Sequence, residues 1–116
     1  MTQHTALLLT LALELAVLCF WWRIADRKQS PWRYLMAGIA ASCLTHPFAW
    51  WANQTLGHTL TRWVRLGAIE LSVITCEALI YCYLLPLSLK RGFTLSLLAN
   101  AFSFGIGLLI FMWLRA

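Results

Sequence analysis

The sequence predicts an all-α fold, in which residues 1–116 form a single integral membrane domain of four transmembrane helices. Hydrophobic residues make up 61% of the chain and charged residues 11%, whereas an average soluble domain is roughly one-quarter charged. The chain divides into four apolar runs of about 18 to 24 residues, and roughly 20 helical residues cross a bilayer core. All seven tryptophans lie near the ends of these runs, where the amphipathic indole is most stable.

The first predicted span covers residues 5–22. No basic segment precedes it, and Trp21, Trp22 and Arg23 follow it in place of a small-residue cleavage site. We therefore expect a retained helix and not a signal peptide. Lipid offers no hydrogen-bond partner to the backbone, so a continuous apolar run of this kind must satisfy its own N–H and C=O groups as a helix.

The second predicted span covers residues 34–53 and contains an unusual His-Pro pair. Pro47 has no N–H to donate to the carbonyl of Cys43, so we expect a kink that leaves this carbonyl free near His46. A kinked helix with an imidazole beside a free carbonyl is a candidate ligand or proton site. The alternative is a packing kink with a hydrogen-bonded histidine.

The third and fourth predicted spans cover residues 66–89 and 93–114, with Lys90, Arg91 and Gly92 forming a tight turn between them. Pro86 lies near the end of the third span, where we expect a structural role. Residues 54–65 form a polar connection before that span. Leu56, Leu60 and Trp63 have helical spacing there, so either a short interfacial helix or an irregular linker fits this stretch.

The basic residues predict the orientation of the chain in the membrane. The connections after the first and third spans hold six of them: Arg23, Arg27, Lys28, Arg33, Lys90 and Arg91. The opposite side holds three: Arg62, Arg65 and Arg115. Because cytoplasmic loops carry the excess of Lys and Arg, we expect both termini outside a plasma (inner) membrane. The net charge of +5 then favours contact with lipid headgroups and not with nucleic acid.

Polar and small residues recur on one arc of each predicted helix. They are Thr10 and Glu14; Gly38, Ser42, Thr45, His46 and Ala49; Glu70, Glu77 and Tyr81; and Ser96, Asn100, Ser103 and Gly107. Spacings of three, four and seven place each set within roughly 100° of its helical wheel. We expect the four arcs to face one another across the bundle interior. The small residues among them are equally explained by close helix packing.

The carboxylates are the strongest functional signal in the sequence. Glu14 and Glu77 lie near the middle of their spans, where a charge costs at least ~2.5–3.5 kcal/mol. No Lys or Arg lies deep in any span, so the partners must be other polar groups, water or a bound cation. Glu70 precedes Glu77 by seven residues and shares its face. The predicted substrate- or ion-binding residues are Glu14, His46, Glu77, Asn100, Glu70 and Tyr81.

Three functions fit these residues. The first is a transporter or channel protomer for a proton, cation or small solute, which we expect to assemble as a homo-oligomer because four spans are few for a complete pathway. The second is a non-catalytic assembly subunit of a larger membrane complex, whose acids pair with basic residues of a partner. The third is an intramembrane enzyme that uses His and Glu with a metal, although no His-Glu-x-x-His motif is present. The sequence identifies no particular cofactor, metal or catalytic residue.

Overall fold

The computed structural model describes residues 3–59 and 61–115, which form four long α-helices and one short 3₁₀ helix. The α-helices are α1 (Gln3–Ala25), α2 (Pro31–Thr55), α3 (Arg62–Leu84) and α4 (Leu89–Arg115), and the 3₁₀ helix is Leu56–His58. The all-α class is confirmed. Within the described residues, three helices are long and apolar enough to cross a membrane: Leu7–Ala25 in α1, and the whole of α3 and α4. The second helix is the least apolar of the long helices, since it contains Arg33, Asn53 and Gln54 near its ends as well as His46 and buried hydroxyl groups.

The four α-helices pack as a ring, in which each helix contacts its two neighbours. The pairs in contact are α1 with α2, α2 with α3, α3 with α4, and α4 with α1. The bundle measures 45 × 28 × 20 Å, and its long dimension is close to the roughly 40–45 Å of a bilayer with its headgroups. Since helices at opposite corners of the ring do not make contacts of their own in the described structure, the centre has room for side chains and for a cavity.

The connection between α3 and α4 differs from the prediction. The third helix ends at Leu84, not at residue 89, and Lys90 to Gly92 belong to the first turn of α4 instead of a tight turn. Pro86 disfavours a helical backbone at the residue before it, which ends α3. Ser88 then caps α4, because its hydroxyl oxygen accepts a hydrogen bond from the Arg91 backbone N–H at 3.2 Å.

In its described part, the polar connection between α2 and α3 contains a single turn of 3₁₀ helix. A more extended interfacial helix is not present there. Trp63, which was one of three apolar positions with helical spacing, lies in the first turn of α3, and Leu60 lies outside the described residues. The Arg65 Nε donates a hydrogen bond to Asn53 Oδ1 at 2.7 Å. This bond fastens the end of α2 to the start of α3.

One half of the bundle is tightly packed; we call it the packed half. It contains the α1–α2 and α3–α4 connections, and its core is formed by Leu18, Tyr34, Ala37, Ala41, Tyr81, Leu85, Leu95 and Ala99. The Gln29 Nε2 donates to the Leu85 backbone oxygen at 2.6 Å, and the Trp22 Nε1 donates to the Gln29 backbone oxygen at 2.7 Å. These bonds join the two connections and close this end of the molecule.

Polarity is distributed in the opposite way to that of a water-soluble bundle. The buried polar side chains are Glu14, Ser42, Thr45, Glu77, Ser96, Asn100 and Ser103. Large apolar side chains are exposed on every α-helix, as at Phe20, Leu44, Leu71 and Leu109. Exposed apolar patches of this extent mark a surface that is covered by something other than water, which agrees with the membrane association that three apolar helices indicate.

The close approach of α3 and α4 at Gly92 leads to a stability prediction. A Cβ at position 92 would overlap Cys82 Sγ and would lie 3.0 Å from the Ala78 backbone oxygen. The thiol can rotate away, but the carbonyl is part of α3, so the helices must separate. We expect Gly92→Ala to lower the free energy of unfolding by about 1–3 kcal/mol, the usual cost of overpacking. Gly105→Ala is the matched control, because no atom lies within 4 Å of a Cβ there; a similar loss in both variants would contradict the prediction.

Candidate functional site

Glu14 projects from the middle of α1 into the bundle interior. Its side chain is 1% exposed, and its Oε2 lies 2.5 Å from the Ser42 hydroxyl oxygen on α2. The serine was interpreted from sequence as a packing residue or part of a polar arc. In the structure it is a hydrogen-bond partner of a buried carboxyl group.

Glu77 lies between three helices. It is 0% exposed and projects from α3, with its Oε2 3.0 Å from the Thr45 hydroxyl oxygen on α2. Its Oε1 accepts a hydrogen bond from Asn100 Nδ2 on α4 at 2.6 Å. Asn100 therefore makes an interhelical hydrogen bond, and the carboxyl group of Glu77 links α2, α3 and α4.

The Thr45 hydroxyl can serve either protonation state of Glu77. Its oxygen lies 2.8 Å from the Ala41 backbone oxygen as well as 3.0 Å from the Glu77 carboxyl, yet a hydroxyl has one proton to donate. When Glu77 is neutral, its O–H donates to Thr45, and Thr45 donates to Ala41. When Glu77 is ionised, rotation of the threonine hydroxyl lets it donate to the carboxylate. Rotation of the Thr45 hydroxyl is therefore sufficient to accommodate either protonation state of Glu77.

The hydrogen-bond partners of the two central carboxyl groups are all neutral. Ser42 is hydrogen-bonded to Glu14. Thr45 and Asn100 are hydrogen-bonded to Glu77. A negative charge within a membrane span costs at least ~2.5–3.5 kcal/mol, and hydroxyl and amide dipoles offset only part of this. Glu14 is also near enough to Glu77 and Glu70 for their charges to repel one another. A proton or a bound cation would relieve both costs.

A cavity of about 360 Å³ lies between the helices in the other half of the bundle, which we call the cavity half. This half holds the beginning of α1, the end of α4 and the α2–α3 connection. Glu14 and Ser42 lie where the cavity meets the packed half, and Glu70 and Asn53 lie nearer the end of the molecule. The cavity is partly open to the surroundings, so it is accessible to small molecules from outside the bundle.

The six predicted site residues separate into two groups around this cavity. Those that line it are Glu14, His46, Glu70 and Asn100. The other two, Glu77 and Tyr81, do not. Glu77 is reached through Thr45 and Asn100, both of which do line the cavity. Glu77 is thus one hydrogen bond away from the cavity surface.

Tyr81 lies deeper, in the core of the packed half. It is 0% exposed, and within the described residues its hydroxyl has no hydrogen-bond partner. Burying a hydroxyl group without a partner costs roughly 1–3 kcal/mol by mutational data. Its surroundings include Leu18, Leu85 and Leu95, so the structure places Tyr81 behind the carboxyl groups and not at a surface that a solute can reach.

His46 lies on the cavity wall, one turn before Trp50. The two rings are 6.5 Å apart at an interplanar angle of 35°. The His46 Nε2 is buried and has no partner in the described part of the chain. The ring forms part of the cavity wall, so a rotation of the imidazole would bring this nitrogen to a bound molecule or to water. The second helix continues through Pro47, from Pro31 to Thr55.

The aromatic wall of the cavity was not included in the predicted site. Trp50 from α2 and Phe104 and Phe111 from α4 line the cavity. Tryptophan was interpreted from the sequence as a marker of the membrane interface, and the phenylalanines were not part of the predicted site. Their spacing carried a usable signal, because Phe104 and Phe111 are seven residues apart and adjoin Ser103 and Gly107 of the polar arc.

The chemistry of the site is acidic, polar and partly aromatic. Across residues 3–59 and 61–115, no group of three or more His, Cys, Asp or Glu side chains is placed to hold a metal ion. The carboxyl groups and their hydroxyl and amide partners can instead hold and release protons or pair with a cation that enters the cavity. Comparison of the chain with known protein families, curated proteins and solved structures finds no match.

Proposed function

We propose that this chain is a membrane-spanning protomer of a small transporter or channel that carries a proton, cation or small solute. The observation that carries the proposal is a pair of buried carboxyl groups with neutral partners beside an accessible cavity. Intramembrane acids are costly and are found where a transported ion or proton uses them. The proposal assigns binding to Glu14, Glu77, His46, Asn100 and Glu70.

The proposal requires α2 to cross the membrane together with the three more apolar helices. Its outward side supports this, because Met36, Leu44, Phe48 and Trp51 are exposed there. Its hydroxyl groups and His46 face the interior or the cavity, where they lower the average hydropathy of the helix without meeting lipid. A helix of 25 residues extends for about 37 Å, which is enough to cross a hydrocarbon core of roughly 30 Å.

The mechanism divides the work between the two central acids. Glu14 faces the cavity, so a solute can pair with its carboxylate and displace its proton. Glu77 sits behind Thr45 and Asn100, where it holds a proton or a charge that the solute does not touch. A change in the protonation of Glu77 requires only a small movement, since rotation of the Thr45 hydroxyl provides a partner for either state.

The two alternatives have less support. An assembly subunit that uses its acids for docking needs them on an outer face, but Glu14 and Glu77 are buried within their own bundle. A metal-dependent enzyme needs a cluster of ligands, and the described residues contain no such group. Assembly of the protomer with a second copy or with a larger complex, and the orientation with both termini outside, stay predictions.

Ion flux through liposomes tests the proposal. Native protein in vesicles containing a pH-sensitive dye is expected to dissipate an imposed pH gradient or to carry sodium or potassium faster than protein-free vesicles. Glu14→Gln and Glu77→Gln are each expected to lower this flux at least about tenfold, because an amide cannot exchange a proton or hold a full charge. Gel filtration and circular dichroism verify that each variant is folded.

The control is Asp26→Asn, the same carboxyl-to-amide change in the α1–α2 connection, far from the cavity. Its flux is expected to equal that of the native protein. Native rates in both glutamine variants would contradict the proposed roles of the carboxyl groups. Native vesicles no more permeable than protein-free vesicles to protons, sodium and potassium would reject the ion-carrying form of the proposal.

A further inference from the structure

The cavity carries acidic groups and lacks basic ones. Glu14 lies at its inner end and Glu70 lines its wall. No Lys or Arg lines it within the described chain. Arg65 and Arg115 lie outside the lining, where they contact two of its residues, Asn53 and Phe111. Fields inside a low-dielectric cleft are focused and little screened by salt. An anionic solute would therefore be repelled, whereas a cation would be attracted towards the carboxyl groups.

The volume of the cavity is larger than a proton or a bare metal ion requires. Its volume of about 360 Å³ falls in the range of roughly 300–1,000 Å³ in which proteins hold small organic ligands. Calcium and magnesium take six or more oxygen ligands in close, converging geometry. The described residues provide no cluster of three acidic, histidine or cysteine side chains for such an ion.

The walls of the cavity are mainly apolar. Leucine, isoleucine and valine side chains line it, among them Leu9, Ile69 and Val73. Trp50, Phe104 and Phe111 bring aromatic rings to it from two helices. Aromatic faces attract cations, and the attraction increases when both partners are removed from water. A strongly hydrated ion gains nothing from such walls, whereas a cation with an apolar body gains from both its charge and its surface.

A polar anchor on the wall points to a ligand independently of the acids. The His46 Nε2 is buried and without a hydrogen-bond partner in the described structure, and His46 lines the cavity beside Trp50. A buried polar atom without a partner is costly. With a rotation of the imidazole towards the cavity, a bound molecule or a water that accompanies it would restore the missing hydrogen bond.

The distance between the acids favours a ligand with a single positive charge. Glu70 is seven residues from Glu77 on α3, which corresponds to about 10 Å along the helix axis. Glu77 does not line the cavity, so Glu14 is the carboxyl group at the inner end, and Glu70 lies some two turns closer than Glu77 to the end of the bundle that holds the α2–α3 connection. A molecule small enough to fit can pair its charge with Glu14 while its body lies against the aromatic wall.

We infer that the cavity binds a monovalent organic cation with an aromatic or apolar body, its charge beside Glu14 and its body against Trp50 and Phe104. This inference rests on the proposed function, since it names the class of solute that the proposed transporter carries. Glu70 on the cavity wall adds to the attraction for the cation. Anions are disfavoured by charge, and hydrophilic cations bind more weakly because they gain nothing from the apolar walls.

The test measures binding of ethidium, a fluorescent aromatic monocation, to purified protein in detergent. Fluorescence anisotropy is expected to show saturable binding above that of protein-free micelles. Glu14→Gln is expected to weaken the affinity at least about tenfold, equivalent to about 1.4 kcal/mol. Trp50→Ala is expected to weaken it about 3- to 30-fold, the range of cation–aromatic contributions. Phenyltrimethylammonium is expected to compete with ethidium for the site, whereas arginine and sodium are not expected to compete.

The matched control is Trp51→Ala, because Trp51 is the adjacent residue, 61% exposed, and does not line the cavity. Its affinity for ethidium is expected to be native. Fluorescein, an aromatic anion, gives a test with no variant at all, and we expect no binding to the native protein. Equal binding of fluorescein, native affinity in Glu14→Gln, or an equal loss in both tryptophan variants would each overturn the inference.

The result separates this inference from the proposed function. If the carboxyl variants lose ion flux but native protein does not bind ethidium, the solute class is wrong and the transport proposal stands. If ethidium binds as expected but the vesicles show no flux of protons, sodium or potassium, the binding site stands and ion transport is wrong. Binding is measured without a gradient, so it does not depend on turnover.

Discussion

Replacement of Asn100 by leucine is expected to be among the most destabilising single changes in the described chain. The two amide protons of Asn100 are both in use: Nδ2 donates to Glu77 Oε1 at 2.6 Å and to the Ser96 backbone oxygen at 2.9 Å. Leucine has a comparable size but no donor, so Glu77 Oε1 loses its partner in a site that is 0% exposed. We expect a loss of about 2–4 kcal/mol, because a buried acceptor left unsatisfied bears its full desolvation cost, and more when charged.

Unfolding in mixed micelles measures this loss, and a double variant isolates its cause. Because the cost arises from the orphaned carboxyl group, Asn100→Leu combined with Glu77→Leu is expected to lose less than the sum of the two single changes. Asn53→Leu is the control: Asn53 is exposed and accepts a hydrogen bond from Arg65, so we expect a change within about 1 kcal/mol. Strict additivity of the first pair would show that Asn100 stabilises the bundle by some other route.

The helices and their inward faces were predictable because both follow from one local rule. Apolar runs of membrane length must form helices, and a spacing of three, four or seven places polar residues on one face. Glu14 and Thr10 on α1, and Asn100 and Ser103 on α4, do turn inward, and all four line the cavity. No long-range information was needed to anticipate their sidedness.

The particular partners could not be predicted, since they depend on how each helix is rotated and shifted against its neighbours. A shift of one turn moves a side chain about 5.4 Å along the axis, which is more than a hydrogen bond spans. Sequence alone therefore could not show that Ser42 would form a hydrogen bond with Glu14 and that Thr45 would form one with Glu77. The same uncertainty concealed that Tyr81 lies in the packed half, away from the cavity that Glu70 reaches.

The end of α3 illustrates a different limit. Apolar residues continue through Leu89, so hydropathy extends the third span past the point at which the backbone leaves the helix. Pro86 and the Ser88 cap carry the decisive signals, but they act on backbone geometry and not on hydrophobicity. The boundary was therefore misplaced although both residues were visible in the sequence.

Gly107→Trp is expected to abolish solute binding and ion flux while leaving the fold intact. Gly107 lines the cavity, and a Cβ at this position meets no atom within 4 Å. The indole can therefore enter the space that the proposed solute occupies without displacing a neighbouring helix. We expect at least about a tenfold loss of ethidium affinity and a comparable loss of flux, with a thermal unfolding midpoint equal to or above that of the native protein because apolar surface is buried.

Gly105→Trp provides the matched comparison, since Gly105 also has no atom within 4 Å of a Cβ but does not line the cavity. The two glycines are separated by a single residue on α4 and so differ by roughly 200° around the helix. Native binding and flux in Gly105→Trp, together with their loss in Gly107→Trp, would show that the cavity itself and not the mobility of α4 is required. Equal losses in both variants would instead assign the effect to α4. Undiminished flux in a folded Gly107→Trp would mean that the solute takes another route, and the carboxyl groups would then have to be explained without this cavity.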